Sequence, residues 1–82
     1  MKVYQHLRAP NDSNGNPRRL WAIYEVASRS VTSRIVKVID EGYGGRPDCV
    51  RKLVELPSID ITLGDYKEWI RVAKSEGVFV NS

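Results

Sequence analysis

Side chains suited to chemistry are few in this 82-residue chain: His6 is the only histidine and Cys49 the only cysteine. Together they form the one available cysteine–histidine pair, in which an imidazole would take the thiol proton and activate the sulfur. Neither lies in a motif that activates a thiol, so Cys49 is expected to be a small filler near a loop and His6 a residue on a strand surface. A single cysteine excludes an internal disulfide framework, and one cysteine with one histidine leaves too few donors for an all-protein zinc site. Asp40 and Glu41 are adjacent carboxylates, but neighbours on a strand project to opposite faces, which is poor geometry for sharing a substrate. No other metal-ligand spacing occurs. The expectation is a chain with no catalytic residue, no cofactor and no metal.

Gly42-Tyr43-Gly44-Gly45-Arg46 has the composition of an anion-binding loop. Glycines free backbone N–H groups to face an anion, Arg46 can fork onto a phosphate, and Tyr43 can stack on a base. The stretch lacks the Gly-Lys-Ser/Thr of a nucleotide-binding loop and opens no clear helix, so nucleotide hydrolysis is not supported and a flexible turn is the simpler reading.

Charge points the same way. Residues 1–52 carry ten Lys and Arg against five Asp and Glu, a net +5, whereas residues 53–82 carry three against five, a net −2. A small domain polarised in this way steers toward anionic partners. The residues placed to meet nucleic acid are Arg18, Arg19, Arg34, Lys37, Arg46, Arg51 and Lys52, with Tyr43 among them and Trp21 and Tyr24 interleaved. Basic side chains would contact phosphates while a sheet face lies against a groove. The RNA-recognition consensus is absent, as is a helix-turn-helix, since only one helix is legible.

These residues must be positioned by one small domain spanning 1–82, because the length allows no second unit. Residues 2–8 alternate weakly and predict a short edge strand. A loop follows at 9–18, rich in Pro, Asn, Asp, Ser and Gly. Residues 19–27 and 34–41 are rich in aromatic and β-branched types and predict two strands, joined antiparallel through the polar stretch 28–33. After the glycine-rich loop at 42–48 comes an extended stretch broken at Pro57, where a missing N–H implies an edge or a bulge. A helix is predicted over about 62–76, capped by Thr62, with Asp65 in its first turn and Gly77 closing it. Its apolar stripe is Leu63, Tyr66, Ile70 and Ala73, with Trp69 beside it, and a short tail follows at 77–82.

The fold class is therefore α+β: a mainly antiparallel sheet of three to five strands packed by one C-terminal helix. Over residues 19–76 this order of elements resembles the arm-binding domains of phage-type integrases, a likeness of architecture that implies nucleic-acid binding. The predicted core is Leu20, Ala22, Tyr24, Val26, Val36, Val38, Leu56, Ile61, Leu63, Tyr66, Ile70 and Ala73.

One feature is at odds with a single helix. Both central strands are apolar on both faces, whereas a sheet with one wet face should alternate cleanly. The second face, assigned to Trp21, Ile23, Ile35 and Ile39, needs a cover: the sheet curls toward a partial barrel, or another protein or a second copy of the chain docks there. The function expected first is accordingly a non-catalytic interaction module, a homodimer being the simplest form, with nucleic-acid binding as the alternative. Nothing at the N-terminus resembles a signal peptide, and the longest apolar run, Leu20–Tyr24, is far too short for a bilayer, so a soluble cytoplasmic protein is expected.

Overall fold

The computed structural model describes residues 1–27, 33–42 and 45–81. Tyr43 and most of the connection 28–33 lie outside the described residues. The chain runs β1 (Lys2–Ala9), β2 (Arg18–Val26), β3 (Ser33–Asp40), α1 (Asp48–Arg51), β4 (Val54–Glu55), β5 (Ile59–Asp60), α2 (Leu63–Ser75) and β6 (Phe79–Asn81). The strands form one six-stranded mixed sheet of order β4-β1-β2-β3-β6, with β5 also pairing β1. The sheet does not close.

β2 joins β1 and β3 antiparallel, while β4 and β5 lie parallel to β1 and β6 lies parallel to β3. The sheet is mixed and six-stranded where the sequence predicts a mainly antiparallel one of three to five strands, because the short strands β4, β5 and β6 add parallel pairings, and two placements change as well. β1 is an interior strand, because β4 and β5 continue its outer side in line. The break between them falls at Pro57, whose carbonyl accepts a hydrogen bond from Gln5 Nε2 at 3.1 Å. The tail, in turn, supplies the edge strand β6: Gly77 adopts φ +71, a left-handed turn that a side chain would strain, and sends Val78 back to β3.

α2 forms for local reasons. Thr62 Oγ1 accepts from the Asp65 N–H at 3.0 Å, and Asp65 Oδ2 accepts from the Thr62 N–H at 3.3 Å, a reciprocal cap. Thr62→Ala is expected to lower stability by about 1 kcal/mol, read as a fall in the urea midpoint at constant slope. An unshifted midpoint would mean that the cap contributes nothing. The helix lays Ala73, Tyr66, Trp69 and Ile70 on Leu7, Leu20, Ala22 and Val38.

The opposite face holds a second core of Tyr4, Trp21, Ile23, Ile39 and Val50, flanked by Val36 and Leu53. Its cover is the chain's own segment 45–53, in which the single turn α1 inserts Val50, 0% exposed. Between Ile23 and Tyr24 the β2–β3 register shifts by a bulge. Beyond it the alternation of β3 is out of step, so Val36 meets the α1-side core and Ile35 the α2-side core, the reverse of strict alternation from Val38.

Candidate functional site

The α1 side of the sheet collects most of the basic side chains. In β1 and β2 the residues alternating with the α2-side core are Lys2, Tyr4, His6 and Arg8, paired across to Glu25, Ile23, Trp21 and Arg19. Arg34 and Lys37 of β3 join them opposite Glu25 and Ile23, and segment 45–53 adds Arg46, Arg51 and Lys52. Against these eight stand Glu25, Glu41, Asp48, Glu55 and Asp60. The α2 side carries Arg18, Lys67, Arg71 and Lys74 against Asp12, Asp40, Asp65, Glu68 and Glu76. The sequence polarity thus becomes a difference between faces, a net +3 against −1 among the described residues.

Ion pairs divide the basic residues into two sets. Arg46 bridges to Glu55 at 3.2 Å, Arg51 to Asp48 at 3.1 Å, Arg8 to Asp60 at 3.0 Å, and Arg19 lies 3.9 Å from Glu41. Among the described residues no ion pair within 4 Å holds Lys2, Arg34, Lys37 or Lys52. Arg46 also places its guanidinium 5.1 Å from the Tyr4 ring centroid and 5.4 Å from that of Trp21, fastening the glycine-rich segment over the second core. That role is structural. Of the residues singled out for nucleic acid, Arg18 lies on the other side, donating to the Pro10 and Asn11 carbonyls, and Tyr43 lies outside the described residues. Lys2, which sequence reasoning left out, joins the set because β1 is interior.

Between Lys2 and Lys37 lies a cleft of about 270 Å³, walled by Ile23, Val36, Leu53 and Cys49. Cys49 is exposed there, and His6 is not among the lining residues. The histidine is engaged elsewhere. Its Nε2 sits 3.1 Å from Glu41 Oε2, with the side chains only 12% and 8% exposed, and its ring stacks on Trp21 at 4.0 Å. Asp40 turns away from Glu41, accepting from the Gly42 N–H and lining a cleft with Arg18 and Tyr66. These placements bring neither a cysteine–histidine pair nor a carboxylate pair together.

Burial, opposed by the Glu41 carboxylate, holds the His6 imidazole below its ordinary value of 6.5. The unfolded chain therefore takes up this proton at a higher pH than the folded chain. The stability contribution is complete above about pH 6.5 and falls as pH drops below it, by at most about 1.4 kcal/mol per pH unit, until the folded imidazole is protonated too. His6→Gln should flatten this part of the profile in urea titrations from about pH 7 to about pH 5. An unchanged profile would show that His6 does not titrate differently on folding.

The four residues proposed to meet a partner are divided by the fold. Trp21, Ile23 and Ile39 are 3–4% exposed beneath segment 45–53. Ile35 is half-buried on the α2 side, where it lines an open cleft of about 230 Å³ with Trp69 and Val72. Among the described residues the second sheet core is thus covered by the chain's own segment.

Compared with known proteins, the chain matches no family model, no curated protein and no solved structure. Among the described residues no helix is long and apolar enough to cross a membrane, and no group of three or more His, Cys, Asp or Glu is placed to hold a metal ion.

Proposed function

We propose that this chain is a non-catalytic module that binds nucleic acid through the α1 side of its sheet. The observation that carries the reading is the gathering of Lys2, Arg34, Lys37 and Lys52 on one side, with no ion pair within 4 Å among the described residues, opposite a side of slight negative charge. Lys2 and Arg34 lie in the field of the Glu25 carboxylate, which the N-terminal ammonium already bridges, so these cations, with Lys37 and Lys52, stand ready to replace counterions along a phosphate backbone. The cytoplasm is the setting we assign, where nucleic acid is present and Cys49 stays a free thiol.

The test is binding of a labelled oligonucleotide at several salt concentrations. With four phosphate contacts, log affinity should fall against log salt with a slope of about −2.8 to −3.6, or about 50- to 150-fold between 50 and 200 mM salt. A slope near zero would overturn the reading.

A second reading, a protein partner or a second copy seated on apolar surface, is favoured by the open cleft of Ile35, Trp69 and Val72. Sedimentation equilibrium separates the two: a dimer that resists salt supports the second, and a monomer that takes up oligonucleotide only at low salt supports the first.

A further inference from the structure

We infer that the cleft between Lys2 and Lys37 receives an unstacked base of a single-stranded nucleic acid, the two ammonium groups taking the flanking phosphates. This rests on the nucleic-acid reading above and adds which form of the polymer fits.

Groove readout of a duplex needs an element that can enter it, a helix or an open two-stranded face. Among the described residues the only helix on the basic side is the four-residue α1, and the sheet beneath it is already covered by segment 45–53. What this side does offer is a concavity. Ile23, at 4% exposure, forms its floor, half-buried Val36 and Leu53 form its walls, and Cys49 stands at its margin. A base has an apolar face that such walls can cover and a polar edge that can stay in water. At about 270 Å³ the cleft is smaller than the ~300–1,000 Å³ pockets that enclose drug-sized ligands, a size suited to one flat ring system.

The rim fits the same ligand. Lysine is a point charge on a flexible stem, able to follow a mobile backbone without the fixed geometry an arginine fork demands. The usual stacking platform for single strands is aromatic, but Tyr4 and Trp21 are 1% and 4% exposed under Arg46 and beside His6. Aliphatic walls take their place, so the site should be tolerant of base identity.

Cys49, the only cysteine, reports on the cleft directly. The full chain is treated with iodoacetamide alone, with a ten-nucleotide oligo(dT), and with a duplex of equal phosphate content, and affinities are measured in parallel. Oligo(dT) is expected to slow alkylation of Cys49 and to bind about tenfold more tightly than the duplex. Protein blocked beforehand at Cys49 with N-ethylmaleimide should lose that preference while keeping its salt-dependent affinity for duplex. Equal affinity for both polymers, with alkylation at the free rate, would overturn the inference and leave the charge-based reading standing. Binding of neither would overturn both.

Discussion

Trp21→Ser is expected to unfold the chain rather than to separate a complex. The indole stacks on His6, packs against Tyr4 at 5.6 Å between centroids, and lies beneath the Arg46 guanidinium. Emptying a buried aromatic site costs about 3–5 kcal/mol, and here it also leaves a serine hydroxyl in the core. A domain of this size holds roughly 4–12 kcal/mol in all, so the loss takes much or all of its stability. Far-UV circular dichroism in urea would record it, with a midpoint independent of protein concentration. Trp21→Phe is the informative control, because Trp21 Nε1 is buried with no hydrogen-bond partner among the described residues. Removing that donor relieves about 1–3 kcal/mol of desolvation and offsets the lost volume, so the phenylalanine variant should stay folded. A Trp21→Ser protein that folds normally and changes only in its sedimentation would show that this face meets a partner after all.

The largest functional effect is expected from Lys37→Glu combined with Lys52→Glu. Neither lysine has an ion pair within 4 Å among the described residues, and Lys52 is exposed at the end of α1. Their reversal should change stability only slightly, within about 1 kcal/mol for the two sites together. Two of four phosphate contacts vanish and two repulsions replace them. The salt dependence should shrink to about tenfold between 50 and 200 mM, and affinity at low salt should fall at least as far as high salt weakens the parent chain. Anisotropy of a labelled oligonucleotide measures both quantities. Unaltered binding by a folded double variant would remove this face from consideration.

Sequence alone revealed what is decided locally. The helix was legible because Thr62, Asp65 and Gly77 act on their own neighbours, and the apolar stripe needs only a period of 3.6 residues. β2 and β3 were legible from their β-branched and aromatic runs, and so was their excess of apolar residues on two faces. The cover of the second face was hidden, since Asp48–Arg51 is too short to show a period and only Val50 announces it. The exchange of Ile35 and Val36 arises from a bulge that no pattern of residue types in β3 betrays. β1 was misplaced at an edge because Gln5 and His6 make it look half-wet. In the fold these groups are occupied by the Pro57 carbonyl and the Glu41 carboxylate, partners 52 and 35 residues away. The basic face was half legible: composition located the charge, but which cations the fold leaves outside the ion pairs of the described residues depended on where it places Glu41, Asp48, Glu55 and Asp60.

The parallel pairing of β3 with β6 has a consequence for the chain as it is made. After Asp40 leaves the ribosome, about forty more residues must follow before Phe79–Asn81 can occupy the outer edge of β3, a wait of roughly 2–8 s at ordinary rates of synthesis. Through that interval the nascent hairpin presents a bare ladder of N–H and C=O groups, the kind of template on which chains join one another. Arg34 and Lys37 sit on that strand, and like charges repel neighbouring copies at the moment when no native strand yet guards the edge. β6 covers only Val38–Asp40, so the lysine that lines the cleft in the finished molecule is expected to act both earlier and later as a charge that discourages pairing along the rest of this edge.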